Sequence, residues 1–378
     1  MVEAIRRYRE GEAGNLCSSG SCPPYPMREF GMVSQREQVA RLRQLAARAL
    51  DSYPLVDPRL RFIAQGENTT FRVEAPTLGH DGSPGPPDQR DRFLLRIHRP
   101  ARHGRHVDST AAIRSELRWL TALRADTDLL VPEPVLTRDG ELITKASSAG
   151  VAEPRTCSVL RWMGGRIHTG SPRPVHLRRL GSAMARLHNH ADQWLPPEDF
   201  VRIRWDWDAF FGDTMEYGGI NASKTWDLIP DDLRGKFDQV ASRVERLMTQ
   251  LGDGPDMVGL IHADLHLDNA LFMHGDVRLI DFDDCGVGYR LYDIAVALWE
   301  LRHRSDYESF RAALVAGYTL HRPLLTEHLT HLDAFIAARE VAFGLWFAGT
   351  AQVNPVFRDH LDQELAFIAD SLNTLLRS

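Results

Sequence analysis

The sequence predicts an α+β fold of two lobes: a small antiparallel β-sheet with one helix, then a larger, mainly helical lobe. Three observations carry that prediction. Runs with strand character cluster between residues 60 and 163, a Gly164-Gly165 pair closes them, and beyond it apolar residues recur at helical spacing. At 378 residues, with 43% hydrophobic and 25% charged residues, the chain has the composition of a folded protein and the length for two domains. The expected division is a flexible N-terminal tail over 1–34, a first lobe over 35–163 and a helical lobe over 164–378 with an insertion at 191–256.

The elements follow in order. Val39, Leu42, Leu45 and Leu50 mark a helix over 35–51. Leu60 to Ala64 and Thr69 to Ala75 read as strands around a turn at Gly66 to Asn68, and residues 76–91, rich in Gly and Pro, as an exposed loop. Phe93, Leu95 and Ile97 alternate with Arg96, which therefore lies on the opposite face of a third strand. Asp108-Ser109-Thr110 opens a second helix through Ile113, Leu117, Leu120 and Leu123. Glu116 falls inside that apolar stripe, where a buried carboxylate calls for a cation. Asp139-Gly140 predicts a hairpin between Val135 and Ile143, and Cys157 to Met163 a last strand. Helices are expected around Leu177 to Leu187, Leu233 to Leu251, and near 290–302, 306–320, 325–350 and 358–376.

Several classes are disfavoured. A formal charge of −6 argues against a nucleic-acid partner. The longest apolar stretches fall short of the run of about 20 residues that spans a bilayer, and the first 30 residues lack a secretory apolar core, so no membrane and a cytoplasmic location are expected. The four cysteines, Cys17, Cys22, Cys157 and Cys285, are too scattered for a disulfide framework, and the CSSGSC stretch reads as tail.

The chemistry concentrates in His262-Ala-Asp264-Leu-His266-Leu-Asp268-Asn269, followed by Ile280-Asp281-Phe282-Asp283-Asp284. Between Asn269 and Asp281 the chain reads as a hairpin turning near Gly275, which sets Asn269 opposite Asp281 across the ladder. An amide oxygen and a carboxylate so placed suit Mg²⁺, which takes hard oxygen ligands and keeps water or phosphate in its other positions. Asp264, on the loop entering the hairpin, can take the proton of a hydroxyl beside a metal-bound phosphate. That arrangement serves phosphoryl transfer, with general-base help contributing roughly 10²–10⁴ in rate.

The pattern His262-x-Asp264-x-x-x-x-Asn269, with Asp281-Phe282-Asp283 after it, resembles the catalytic loop and metal motif of the aminoglycoside phosphotransferase/choline kinase superfamily, relatives of protein kinases. The resemblance spans about residues 37–350 and implies a two-lobed protein-kinase-like fold acting on ATP with Mg²⁺. Carried over by position, it implies Asp264 as catalytic base, Asn269 and Asp281 as metal ligands, and His262 and Asp293 as residues that order the loop. It also implies nucleotide contacts at Gly66 and Asn68, at Arg96 with Glu116, and at Arg161 and Met163. Arg96 stands where the kinase pattern has lysine, which keeps the charge and adds a bidentate fork. The His-Arg-Pro run after Arg96 and the Phe-Asp-Asp-Cys stretch after Ile280 are most similar to homoserine-kinase and stress-response-kinase types.

The acceptor expected on this reading is the hydroxyl of a small molecule such as an amino alcohol, homoserine, a sugar or an aminoglycoside. A protein serine/threonine is the alternative. Trp205, Asp206, Trp207, Asp208, Glu216 and Tyr217, with Arg339, Glu340 and Trp346, are candidate acceptor contacts that core packing would equally explain. Two further readings compete. His262, Asp264 and His266 could ligate a transition metal in a hydrolase, and the chain could be a nucleotide-binding module without activity.

Overall fold

The structure is a computed structural model describing residues 33–66, 68–76, 90–100, 108–213, 215–217 and 220–377. Cys17, Cys22 and most of the loop expected over 76–91 lie outside those residues. An antiparallel sheet comes first and a mostly helical region follows, as expected.

The chain divides into two compact units, residues 1–100 with 133–162, and residues 101–132 with 163–378. The first unit holds α1 (Gln35–Leu50), β1 (Arg59–Gln65), β2 (Thr69–Pro76) and β3 (Arg90–Ile97). The helix that follows, α2 (Ser109–Asp126), groups with the second unit, although its place in the sequence put it with the small lobe. The first unit resumes with β4 (Pro134–Val135), β5 (Thr144–Ala146) and β6 (Arg155–Arg161).

Ser34 caps α1, its hydroxyl accepting the Glu37 N–H at 3.3 Å. The apolar face of α1 meets the sheet through Leu42, Leu45 and Ala49, which pack with Phe71, Val73, Phe93, Leu95 and Val159. Each such leucine or phenylalanine taken fully out of water contributes about 1.5–3 kcal/mol. The sheet runs β1-β2-β3-β6-β4, with β5 also on β6. The Asp139-Gly140 turn forms, with Gly140 at φ 80° and the Thr137 N–H on the Glu141 carbonyl at 2.8 Å, but β4 and β5 do not pair with each other. Both β4 and β5 pair antiparallel with β6 instead. Two such short flanks make too little ladder for a hairpin of their own, and the longer β6 satisfies their backbone groups.

The second unit continues through α3 (Pro174–Gln193), β7 (Arg204–Trp205), α4 (Trp207–Phe211), β8 (Glu216–Tyr217), β9 (Ile220–Asn221), α5 (Ala222–Trp226) and α6 (Asp231–Leu251). Then come β10 (Val258–Ile261), β11 (Ala270–Met273), β12 (Asp276–Leu279) and β13 (Gly286–Tyr289). Six helices close the chain: α7 (Arg290–Trp299), α8 (Tyr307–Tyr318), α9 (Thr326–Leu329), α10 (Leu332–Val353), α11 (Pro355–Arg358) and α12 (Leu361–Leu375).

Asp108 caps α2 by accepting the Ala111 N–H at 2.8 Å, and Trp119 on α2 packs edge-on against Phe282 at 5.6 Å. The helix expected over 325–350 is two, because the chain turns between Thr330 and His331 before α10 begins. Helix α10 is apolar nearly all round and buries Phe335, Val341, Leu345 and Ala348, the pattern of a helix enclosed by its neighbours. The 191–256 stretch is part of the packed body of this unit. Trp205, Phe210, Tyr217 and Phe237 are buried, and α6 packs on α10.

Candidate active site

The site is built where β10 ends and a short hairpin begins. From β10 the chain passes through His262, Ala263 and Asp264, makes a single 3-10 turn over Leu267–Asn269, and enters β11. Ala263 sits at φ 66° and Asp281 at φ 65°, the left-handed region that non-glycine residues seldom occupy. Such backbone persists only where surrounding bonds hold it, and here they are identifiable.

Asp293 on α7, fully buried, accepts the N–H of His262 at 2.9 Å and of Ala263 at 2.6 Å. Its Oδ2 also meets His188 Nε2 at 3.0 Å, and His188 Nδ1 meets the Tyr318 hydroxyl at 2.9 Å. Burial pushes the His188 pKa down, so a neutral ring donates from Nε2 to Asp293 and accepts the Tyr318 proton at Nδ1. His262 is likewise buried with a lowered pKa. Its Nε2 donates to the Ile280 carbonyl at 3.1 Å, its Nδ1 accepts the Asp264 N–H at 3.3 Å, and its ring lies on Phe282 at 4.4 Å. With both ring nitrogens engaged, His262 has no lone pair for a metal, which removes it from the alternative His262, Asp264, His266 ligand set.

Asn269 gives both amide protons to Asp264, one to the carbonyl at 2.8 Å and one to Oδ2 at 2.9 Å. The amide oxygen is thereby the atom left to face a cation. The hairpin register differs from the expected one. Met273 pairs with Asp276 and Ala270 with Leu279, so Asn269 stands opposite Ile280, whose N–H it accepts at 3.0 Å. The turn consists of His274 at φ 50° and Gly275 at φ 97°, a two-residue connection centred between them rather than on Gly275, and this displaces the ladder by one residue. Asp281 is the residue after Asn269's partner; it is exposed, with its backbone in the left-handed region.

The Asp264 carboxylate is engaged at both oxygens. Beyond Asn269, its Oδ1 accepts from Arg339 Nη2 at 2.5 Å and its Oδ2 lies 3.5 Å from His266 Nε2. The other face of the His266 ring meets Glu300, Nδ1 to Oε2 at 3.5 Å. Burial alone would raise the Asp264 pKa, but Arg339 and His266 outweigh it and hold the carboxyl well below the usual range. Burial likewise opposes protonation of His266, and Asp264 with Glu300 overcomes it, raising that pKa well above the ordinary value.

The remaining predicted residues fall as follows. Arg96, in β3 of the first unit, is buried. Glu116, on α2 of the second, is also buried. Gly66 is exposed at the end of β1, its N–H on the Asn68 carbonyl at 3.0 Å, and Asn68 Oδ1 accepts the Arg99 N–H at 3.1 Å. Arg161 ends β6 and pairs with Glu133 at 3.1 Å, while Met163 begins the second unit's return.

Against known proteins, residues 59–328 match the family model described as phosphotransferase enzyme family. The chain belongs to that family. It is a phosphotransferase, a small-molecule kinase. A protein of unassigned function from Deinococcus radiodurans is 28% identical over 312 residues, covering 81% of this chain and 80% of that one. A homoserine kinase from Rhodopseudomonas palustris strain TIE-1 is 30% identical over 205 residues, covering 53% of this chain and 57% of the relative, so the match spans little more than half of that enzyme. Among solved structures, a microcompartment-associated aminopropanol kinase superposes with a TM-score of 0.72 at 27% identity, covering 88% of this chain and 97% of that one. An amicoumacin kinase solved with AMP-PNP and Ca²⁺ shares the fold at a TM-score of 0.65 and 20% identity, over 89% and 96% of the two chains.

Two residues that position this site, Arg202 and Glu300, escaped the sequence reading, and a third, Arg339, was expected as an acceptor contact rather than as a partner of Asp264. Arg202 holds the backbone after Asp281 through the carbonyls of Asp283, at 2.5 Å, and Cys285, and also takes the Ala112 carbonyl at 2.9 Å. Glu300 and Arg339 complete the surroundings of Asp264. No local signal marks them, because each reaches the loop from a distant element. Among the residues offered as acceptor contacts, Trp205 and Trp207 instead donate their indole N–H to the carbonyls of Asp284 and Ala241, at 2.8 and 2.9 Å, and Asp206 caps α4 through the Ala209 N–H.

Proposed function

We propose that this phosphotransferase moves the γ-phosphoryl group of ATP, with Mg²⁺, to the hydroxyl of a small amino alcohol or hydroxy amino acid. The observation that carries the reading is the placement of Asp264: a carboxylate fixed by the Asn269 amide, on a loop strapped to buried Asp293. The acceptor class is supported by what the similar aminopropanol and homoserine kinases act on.

In this mechanism the acceptor hydroxyl meets the Asp264 carboxylate, which orients it and takes its proton as the new O–P bond forms and the bond to the ADP oxygen breaks. Because the transferred phosphoryl passes through a loose transition state, orientation of the hydroxyl matters more than the strength of the base. The side-chain oxygens of Asn269 and Asp281 are the hard donors that suit Mg²⁺. The ion supplies neutralisation of phosphate charge when bound. His262 and Asp293 order the loop by the bonds described above. Gly66, Asn68, Arg96, Glu116, Arg161 and Met163 are proposed as nucleotide contacts on the family resemblance alone.

The test is a transfer assay with Mg-ATP labelled at the γ position, offering 1-amino-2-propanol, L-homoserine, choline, an aminoglycoside, a sugar and a generic protein. Label on an amino alcohol or hydroxy amino acid is expected, and Asp264→Ala should abolish it by about 10²–10⁴ while Mg-ATP binding persists. Label found only on protein would overturn the acceptor class, and full activity in the variant would overturn the role of Asp264.

A further inference from the structure

Asp264 is held at both oxygens by groups from different parts of the chain. Asn269, five residues on, takes Oδ2, and Arg339, from the middle of α10, takes Oδ1. A single anchor would let the carboxylate turn about its last side-chain bond; a second on the other oxygen fixes its plane. We infer that Arg339 is a positioning residue that sets the orientation of the Asp264 carboxylate toward the acceptor hydroxyl. This rests on the proposed role of Asp264.

Arg339 is itself braced. Its guanidinium lies over the Trp299 ring, 5.2 Å from the centroid. The Trp299 indole N–H donates to the fully buried Glu340, and Arg302 pairs with the same carboxylate. Arg302 in turn reaches the Ser371 hydroxyl on α12, from Nε at 3.0 Å and Nη2 at 2.8 Å. A chain of buried polar contacts thus runs from the last long helix to the catalytic loop, with Arg339 at its end. The Nε–H of Arg339 is buried with no acceptor, so the guanidinium gives up one hydrogen bond to hold this position.

The placement also has a chemical cost. A cation against Asp264 weakens it as a base, which orientation repays only if proton transfer is not the difficult part of the step. Phosphoryl transfer meets that condition, and displacing a reacting group by about 1 Å costs on the order of 10² in rate.

The experiment compares Arg339→Gln, Arg339→Lys and Asp264→Asn with the parent protein. Turnover is measured with Mg-ATP and 1-amino-2-propanol or L-homoserine, or as acceptor-free ATP hydrolysis if neither is used, with nucleotide KM and melting temperature alongside. Arg339→Gln should lower kcat by about 30–300-fold with nucleotide KM within about threefold of parent. Arg339→Lys, which keeps the charge but loses the fork, should lower kcat by about tenfold or more. A fall smaller than about tenfold in Arg339→Gln, or a nucleotide KM that rises by the same factor as kcat falls, overturns the assignment. Should that variant fail to fold, Arg339→Lys is read by the same criteria. Full kcat in Asp264→Asn would instead sink the role of Asp264, a separate failure.

Discussion

At the scale of single residues, the site depends on polar groups whose charge states burial sets. His176 gives a clean example away from the reacting atoms. It opens α3, accepts the Arg173 N–H at Nδ1 at 3.2 Å, and stacks on His168 at 4.1 Å and Phe272 at 4.8 Å. Burial first, then the charges of His168, Arg173 and Arg179, push its pKa down to about 4. The unfolded chain protonates this ring near pH 6.5 and the folded chain only near 4, so its contribution to stability is whole above about pH 6.5 and declines as pH falls toward 4. Denaturant melts across that window should show a smaller decline for His176→Asn, which takes up no proton; identical pH dependence would contradict this. The motif residues were legible in the sequence because the chemistry needs these types at this spacing. Glu300 and Arg202 were not, and Arg339 was expected as an acceptor contact rather than on Asp264, because only folding brings these residues to the loop.

At the scale of elements, the loop is held by helices in close contact. A Cβ on Gly317 of α8 would fall 1.9 Å from the Arg178 carbonyl oxygen of α3, and one on Gly181 would fall 2.1 Å from that of Leu314. The two helices therefore meet backbone to backbone, and neither site admits a side chain without moving a helix. The contact bears on the proposed site, since Tyr318, next to Gly317, supports His188 and through it Asp293 and the His262-Ala263 backbone. Gly317→Val is expected to cost at least about 1–3 kcal/mol in urea unfolding and to lower kcat. Gly235→Ala in α6, with nothing within 4 Å, should be neutral or stabilising by up to about 1 kcal/mol. Equal effects of the two changes would refute the packing account. The hairpin shows a limit of reading elements from sequence. Its existence was clear from Gly275 and the alternating flanks, but its register hung on whether the turn held two residues or three, a choice that backbone geometry makes.

For the whole molecule, the family match runs from β1 into α9 and so covers segments of both units. A nonhydrolysable ATP analogue with Mg²⁺ should accordingly raise stability by linkage, about 2.7 kcal/mol at 100 times its Kd. Asp281→Ala should remove the Mg²⁺-dependent part of that gain in a thermal shift assay, and an unchanged gain would exclude Asp281 as a ligand. Among the described residues no helix is long and apolar enough to cross a membrane. The amino-acid order by itself determined the class of fold and the family, because periodicity and motif spacing are local. Tertiary structure alone decided which strand β4 and β5 join, that Asn269 stands opposite Ile280, and that Arg339 grips Asp264. The first and last of these depend on competition between contacts far apart along the chain, and a local pattern carries no record of which contact prevails; the register follows from the backbone of the two-residue turn, which the side-chain pattern does not state.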